Sequence, residues 1–577
     1  MGQRVVLFRC DAGAEPEVGT GHLVRDLLLA EYLRDTLGGR CAFAVRGDAA
    51  TIARATARGF EIIPIAEDDG DARPTCAAVA AVRPDLVVVD RLGVGREYVE
   101  RVKATGVLVA LVDNSLDDAG PADLCINPVI DADRSIHGGA DYAVFRPAPA
   151  PARVIAERAR RVFLSVGGHD DARLLVRCLK ELEGLEPPLD VDVVAGAGHP
   201  EQAELERIAG ASDGRVRLHV DVPDVRPLLR EADLAVVAGG LTMFECAAGG
   251  LPTVVVAQYE HQVAAAGGLA RGGAVVSLGL GAKLPRGAVR VEVGRLLGSA
   301  AARRELSAAG RAAVDGEGLR RTAELLSVVR PLPWDSQFFG IRVGRVTPYS
   351  VTEDLLALAD RWAREEGIRC LYYLADFGSP RSIRLAEEHG YRLADARVTL
   401  SRLVPAAAEP APGDPPTRPS RGEDLPELRA LAATAFTDSR FFFDDRFPRE
   451  RSRELYAQWV EGLHRGPSGR VFVVELDGRV AGFIACDRVG VSRGVIGLIA
   501  VREGYQGRRV GSALVGRALK WFAEQDLPVA QVVTQGRNAG AQRLYQKCGF
   551  RTESVRLWYH KWFDEPASGR LDTDDRG

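Results

Sequence analysis

The sequence predicts an α/β protein with two doubly wound, parallel-sheet domains and then a tandem α/β module with one degenerate half. Three observations predict it. Residues 1–325 alternate short, continuous Val/Ile/Leu runs with helical Ala/Arg/Leu-rich stretches. Such runs suit parallel strands buried on both faces and joined by crossover helices. A Pro/Ala-rich stretch, PAPAPARV at 147–154, divides the runs into two series. Further on, residues 362–391 align without a gap with residues 521–550, an internal repeat at an offset of 159.

The first series of strands is VVLF (5–8), CAFAV (41–45), EIIPI (61–65), LVVVD (86–90) and VLVALVD (107–113). The second is RVFLSVGG (161–168), VDVVAG (191–196), LAVVAGG (234–240), PTVVVA (252–257) and AVVSLG (274–279). Ligands of such sheets bind at the C-terminal strand ends, so the two domains are expected to face a shared cleft. The expected divisions are 1–155 and 156–328 for these domains, then 329–403 for a degenerate α/β half. A Pro-rich linker follows at 404–416, then a competent half at 417–565 and a disordered tail at 566–577. Both repeat copies read as helix end, strand, loop, helix and Gly-aromatic (Gly390-Tyr391, Gly549-Phe550) before a closing strand. They differ where chemistry matters. Tyr545 aligns with Ala386, and the loop QGRRVG (506–511) aligns with TPYSVT (347–352).

Composition bounds the rest. At 577 residues the chain exceeds one hydrophobic core. Its 46% hydrophobic and 27% charged residues exclude disorder throughout. A net charge of -4 excludes attachment to nucleic acid or membrane by bulk charge. Six lysines among 75 basic residues leave arginine as nearly the whole positive charge. The N-terminus has no signal-peptide pattern, and no stretch reaches the roughly 20 apolar residues of a membrane span. Nine scattered cysteines without CxxC predict reduced core thiols, a cytoplasmic location and no metal site.

In the competent half, an apolar strand (495–501) runs into a turn and a helix opening near Gly511. Successive backbone N–H groups there, with the positive end of the helix dipole, suit a pyrophosphate. The loop resembles the acetyl-CoA loop of the GCN5-related N-acetyltransferase superfamily, Arg/Gln-x-x-Gly-x-Gly/Ala. Gln506 and Gly511 match, and Arg509 replaces the middle glycine. The resemblance implies acetyl-CoA as co-substrate, held by Ile499, Ala500, Val501, Gln506, Gly507, Arg508, Arg509, Val510, Gly511, Ser512 and Asn538. It implies Tyr545 as the acid that protonates the leaving thiolate, and a backbone N–H near Ile499–Val501 that polarises the thioester. LPWDSQFFG (332–340), SRFFFDDRFP (439–448), LYAQW (455–459) and WYHKW (558–562) look like the acyltransferases of dTDP-4-amino-4,6-dideoxygalactose, which also carry a degenerate first half. Arg440, Asp444, Asp445 and His560 are then candidates for the acceptor site, or ordinary structural polar residues.

In the N-terminal half, a strand ends near Cys10 and a helix opens near His22, a histidine placed by the helix dipole to stay neutral and act as a base. Gly19-Thr20-Gly21-His22-Leu23-Val24-Arg25, with Arg9 and Asp11, resembles the UDP-sugar hydrolase of pseudaminic-acid biosynthesis, whose fold is of glycosyltransferase-B type. SVGGHD (165–170) and AGGLTMFECAAGGLPTVVV (238–256) match its second domain. The resemblance implies Gly239, Gly240 and Thr242 at a pyrophosphate, Glu245 at the nucleoside, Gln262 and Arg25 at the substrate, and His22 activating water at the anomeric carbon. Two positions depart from the family: Asp90-Arg91-Leu92 replaces Asp-His-Tyr, and His261-Gln262 replaces Asn-Gln. The expected function is a bifunctional enzyme that N-acetylates a UDP-linked 4-amino-4,6-dideoxy sugar and then releases UDP from the diacetamido product. The alternatives are a glycosyltransferase or a non-catalytic nucleotide-sugar module in the N-terminal half. The expected partners are small molecules only.

Overall fold

The computed structural model describes residues 4–11, 21–47, 49–65, 71–91, 93–112, 120–128, 137–147, 153–167, 170, 173–196, 199–405, 411–466 and 469–563. Gly19, Thr20, Leu92, Gly168, His169 and the tail 566–577 lie outside the described residues.

The first sheet contains β1 (Val5–Asp11), β2 (Arg40–Arg46), β3 (Glu61–Pro64), β4 (Leu86–Asp90), β5 (Leu108–Val112) and β6 (Leu124–Ile126). Its order is β3-β2-β1-β4-β5-β6, and all its pairings are parallel. Every residue of β4 and β5 is buried, which is why these strands read as unbroken apolar runs. The second sheet contains β7 (Arg161–Ser165), β8 (Asp190–Ala195), β9 (Val216–Val220), β10 (Leu234–Val237), β11 (Thr253–Ala257) and β12 (Val276–Leu280). Its order, β12-β11-β10-β7-β8-β9, repeats the first topology and is again parallel. Two strands escape the sequence reading, β6 and β9. Both are edge strands, and β9 alternates polar with apolar residues (VRLHV) because Arg217 and His219 turn to Asp192.

The chain returns to the first domain before the boundary expected at 328. The helix Gly318–Leu326 packs on the helix Gly21–Leu37 and shares its core cluster. Thr322 donates to the Tyr142 carbonyl at 3.3 Å, and Arg4 donates to the Ser327 carbonyl at 3.0 Å. Gly318 permits this approach, since a Cβ there would stand 2.0 Å from the Ala143 carbonyl oxygen.

The third sheet contains β13 (Val329–Pro331), β14 (Val343–Val346), β15 (Cys370–Asp376), β16 (Arg392–Leu403), β17 (Thr417–Pro419), β18 (Arg470–Leu476), β19 (Arg479–Val489), β20 (Arg493–Val501), β21 (Val529–Gln535) and β22 (Arg551–Trp562). It is one sheet of ten strands, ordered β13-β14-β15-β22-β16-β21-β20-β19-β18-β17. The two repeat copies have exchanged their closing strands. The first copy's β16 pairs with β21, the second copy's β22 pairs with β15, and β16 and β22 pair with each other. The division expected at 404–416 is therefore crossed by the sheet, and neither half closes its sheet alone.

This module is also docked on the first domain. Lys103 bridges Asp123 and Asp354, each at 2.8 Å, and Thr352 donates to Asp123 at 2.6 Å. Arg493 pairs with Asp315 and Asp141, each at 2.9 Å.

Candidate active sites

In both doubly wound sheets the strand order reverses beside the first strand, between β1 and β4 and between β7 and β10. Such switch points open crevices at the C-terminal strand ends. A cavity of about 500 Å³ lies there, lined by Gly21, His22, Arg25, Arg58 and Arg146 from the first domain. Gly167, Arg226, Gly239, Gly240, Thr242, Glu245 and Gln262 line it from the second.

His22 is the second residue of its helix, and Cys10 on β1 is registered against Asp90 on β4. That register brings His22 Nδ1 to 2.6 Å from Asp90 Oδ1. Asp90 is fully buried and takes two further bonds from Arg25, Nε to Oδ2 at 2.8 Å and Nη2 to Oδ1 at 2.6 Å. Burial alone would raise this carboxyl, but Arg25 and His22 hold it well below the usual carboxylate range. An ionised Asp90 favours the proton on Nδ1 and so makes Nε2 the basic ring nitrogen, the arrangement of a histidine oriented by a carboxylate. Asp26 lies behind this pair, fully buried. Burial and the charge of Asp90 push its carboxyl well above the usual carboxylate range. Asp90 is a further candidate, which the sequence names only as part of a departing tripeptide. Its signal was an aspartate closing an all-apolar strand next to β1.

Arg9 and Asp11 are placed outside the cavity lining. Arg9 is fully buried, and its guanidinium donates to the Cys10 carbonyl and to Asp11 on its own strand. Asp11 is tied further to Arg46 and Arg91, each within 3.5 Å. Both residues are tied together at the C-terminal end of β1. Arg58 and Arg146 in the lining share Glu31 as their ion-pair partner, and neither was singled out from sequence.

On the second domain, Gly240 precedes the helix Leu241–Ala248, whose N-terminus faces the cavity with Thr242. Gly239 is required by a close approach, since a Cβ would stand 2.6 Å from the Gln262 carbonyl oxygen. Gln262 accepts the Gln258 N–H at 2.9 Å, so it shapes the loop as well as lining the cleft. Burial pushes the Glu245 carboxyl up to about 7, with Arg226 partly offsetting it.

In the third sheet, β20 and β21 pair in parallel from Arg493–Val529 to Ile496–Val532. Beyond that point Gly497–Val501 and Val533–Gln535 are not paired with each other, while β21 stays paired with β16. This gap leaves the β21-facing edge of β20 unpaired over Gly497–Val501, beside the helix Val510–Glu524, while the other edge of Ile499, Ala500 and Val501 stays paired with β19. That helix follows a loop in which Gln506, Gly507, Arg508 and Arg509 are exposed. Gly507 (φ 79°) and Arg509 (φ 62°) are left-handed, and no acid sits in the first helical turn with Val510, Gly511 and Ser512. The open N–H groups and the uncompensated dipole fit the pyrophosphate of acetyl-CoA. Gly511 lets the next helix pack close, since a Cβ would lie 3.0 Å from Leu544 Cδ2. Arg509 turns to Asp414 at 3.0 Å, which brings the end of the expected linker over the loop.

Asn538 caps the helix Ala539–Lys547 by accepting the Ala541 N–H at 3.0 Å. Tyr545 lies on that helix at 3% exposure, packed in the core with Val510, Ala513 and Leu514. Burial raises its phenol well above the ordinary value, so it holds its proton at neutral pH. The acceptor candidates form a chain. Asp444 Oδ2 sits 2.7 Å from His560 Nδ1 and accepts from Trp562 Nε1 at 2.9 Å, while Arg440 Nη1 sits 2.8 Å from His560 Nε2. Burial lowers His560 to about 4, so it is neutral, with both ring nitrogens engaged. Asp445 is separate from this chain, 90% exposed and 3.7 Å from Arg449.

No group of His, Cys, Asp or Glu residues suited to a metal occurs among the described residues, and no described helix is long and apolar enough to cross a membrane.

Comparison with known proteins defines the class. Residues 428–550 match the acetyltransferase (GNAT) family. An N-acetyltransferase of Archaeoglobus fulgidus is 32% identical over 131 residues, 22% of this chain and 87% of its own length. The chain therefore belongs to the acetyltransferase (GNAT) family through this region, and acetyl-CoA is its co-substrate. More particular relatives cover more of the chain. The dTDP-fucosamine acetyltransferase of Escherichia coli O6:H1 is 27% identical over 239 residues, 40% of this chain and 97% of that protein. The spore coat polysaccharide biosynthesis protein SpsG of Bacillus subtilis is 26% identical over 326 residues, 54% of this chain and 94% of that protein.

Proposed function

We propose that the chain is a two-site enzyme of nucleotide-linked amino sugars: an N-acetyltransferase fused to a catalyst that cleaves the bond between sugar and nucleoside diphosphate. The acetyltransferase reading is carried by the gap between β20 and β21 beside an acid-free helix N-terminus, with a protonated tyrosine within the same core cluster. A neutral sugar 4-amine attacks the thioester carbonyl. A β20 backbone N–H near Ile499–Val501 stabilises the developing oxyanion; as the carbon–sulfur bond breaks, Tyr545 gives its proton to the departing thiolate, while the attacking nitrogen releases a proton to solvent, from which the tyrosinate regains one. The name of the E. coli relative, a dTDP-amino-sugar acetyltransferase matched over 97% of its length, supports this class of acceptor.

At the N-terminal cleft, His22 oriented by Asp90 takes a proton from the nucleophile that displaces the nucleoside diphosphate. Gly239, Gly240 and Thr242 receive the diphosphate at the helix N-terminus. With water as the nucleophile the module is a UDP-sugar hydrolase of pseudaminic-acid type, and acetylation precedes release. A second reading makes the nucleophile a sugar hydroxyl. The relation to a spore coat polysaccharide biosynthesis protein favours it, because polymer assembly consumes nucleotide sugars by glycosyl transfer.

Mass spectrometry of products from UDP- and dTDP-4-amino-4,6-dideoxy sugars with acetyl-CoA tests both sites together. Acetylation is expected in every reading. UDP release without added acceptor supports hydrolysis, whereas release only with a carbohydrate acceptor supports transfer. Unchanged turnover in His22→Ala reduces the cleft to a binding module. An absence of acetylated product across the panel overturns the acceptor class.

A further inference from the structure

We propose that one face of the ten-stranded sheet holds a second nucleoside-diphosphate site, built by Arg345, Arg397 and Arg556 and created by the strand exchange. It rests on the acetyltransferase reading and would anchor the diphosphate of the acceptor.

The register places the arginines together. Arg330 on β13 stands directly opposite Arg345 on β14, and Arg397 on β16 stands directly opposite Arg556 on β22. Arg345 is registered with Tyr372, and Tyr372 with His560, so β14, β15 and β22 present these residues on one face. Arg345 lies 5.3 Å from the Trp558 ring, and Arg440 lies 4.1 Å from the rings of both Tyr372 and Trp558. Like charges directly opposite across an antiparallel ladder are destabilising, and here there are two such pairs.

The carboxylates in reach do not neutralise them. Glu324 approaches Arg330 at 3.5 Å and Asp376 approaches Arg556 at 3.8 Å. Asp335 is raised by burial, with Arg440, Arg345 and Arg330 acting against that shift, and Glu553 is shared with Arg493 at 3.6 Å. Arg345 and Arg397 make no hydrogen bond or ion pair among the described residues, although burial lowers both from the ordinary arginine value. Tyr349 lies under Arg556 at 3.7 Å. Burial works to raise its phenol, yet Arg556, Arg345 and Arg397 together hold it below its ordinary value.

The three arginines are part-buried, and two of them, Arg345 and Arg397, have no carboxylate partner among the described residues; such cations are costly to desolvate, and forked guanidiniums from separate strands suit the oxygens of a diphosphate. The location selects the acceptor. Arg397 is registered against Gln535, in the stretch of β21 that has parted from β20. The face therefore borders the reaction gap from the side of β16 and β22, whereas the acetyl-CoA loop lies at the N-terminus of the helix Val510–Glu524.

Calorimetric titration of the full chain with UDP and dTDP, and with inorganic pyrophosphate as a base-free probe, tests this. The wild type is expected to bind two nucleoside diphosphates per chain, and Arg345→Gln/Arg397→Gln only one, with acetyl-CoA affinity unchanged. The KM for the nucleotide amino sugar is expected to rise at least tenfold with kcat within twofold, and Arg397→Lys to recover part of the loss. Single-site binding by the wild type overturns the proposal, as does retention of both sites by a double variant with wild-type circular dichroism. If binding falls from two to one but no nucleotide amino sugar is acetylated, the acceptor reading fails and the anion site stands. If acetylation proceeds with an unchanged KM in the variant, the reading stands and the anion site fails.

Discussion

The two repeat copies put the same local plan to opposite uses. In the second copy, the helix Val510–Glu524 has no acid in its first turn and no side-chain cap. In the first, the corresponding helix Glu353–Glu365 is closed by its own residues. Thr352 accepts the Leu355 N–H, and Glu353 and Asp354 compensate the dipole. The loop proposed to hold acetyl-CoA in one copy is a docking element in the other. Tyr349 stacks on His137 at 5.7 Å and donates its N–H to His137 Nε2 at 3.2 Å, while Thr352 reaches Asp123 of the first domain. At the proton donor, Tyr545 faces Ala386 in the alignment, and the alanine is simply core. The two helix N-termini differ in the way this reading needs: one satisfies its own N–H groups and meets the first domain, the other leaves them without an acid or a side-chain cap.

Four variants break or sharpen that comparison. The largest effect belongs to Tyr545→Phe, which removes a phenol that the first copy replaces with Ala386. It should lower kcat for acetyl transfer by about 100-fold or more while the acetyl-CoA dissociation constant measured by calorimetry stays put. A near-normal rate would mean that the second copy owes nothing to the phenol. Next, Ser512→Glu gives the second copy the acidic first turn of the first. The KM for acetyl-CoA should rise by roughly tenfold with little change in kcat. Steady-state kinetics with varied acetyl-CoA reads this, and an unchanged KM would deny the dipole its role.

The third concerns the other helix N-terminus, at the cleft. Burial sets the Glu245 carboxyl at about 7, above its value in an unfolded chain, so the folded protein holds a proton that the unfolded chain releases. Its contribution to stability is present below about pH 4.5 and is lost as pH rises through about 7. UDP binding, which brings a further negative charge, should weaken over the same rise. Glu245→Gln should flatten both profiles between about pH 5 and 8, checked by thermal melts and binding across that range. The smallest effect is Thr352→Ala, which removes a helix cap and the bond to Asp123. About 1 kcal/mol of stability should be lost in chemical denaturation, with acetyl transfer kinetics unaltered.

Much of both sites was legible where chemistry is local. The glycines at 239, 240, 507 and 511, the histidine opening a helix, and the Asn538–Tyr545 spacing are each decided within a few residues of chain. The parts that were not legible depend on distant partners. Asp90 becomes the orienting carboxylate of His22 only because β4 lies beside β1. Arg9 and Asp11 are site candidates by motif, and their pairing with each other on one strand, and of Asp11 with Arg46 and Arg91, is set by the sheet. The helix Gly318–Leu326 was assigned to the second domain by chain order and packs on the first through its apolar face.

The sequence by itself determined the α/β class, the two parallel sheets and the repeat, because strand burial, helix periodicity and turn chemistry act over short spans. Only the tertiary structure decided which strands close which sheet. Exchange of β16 and β22 preserves every local preference, since each strand keeps its alternation and gains an equivalent antiparallel partner. What changes is the neighbour across the ladder. That alone sets Arg397 opposite Arg556 and turns two unremarkable arginines into a face waiting for an anion.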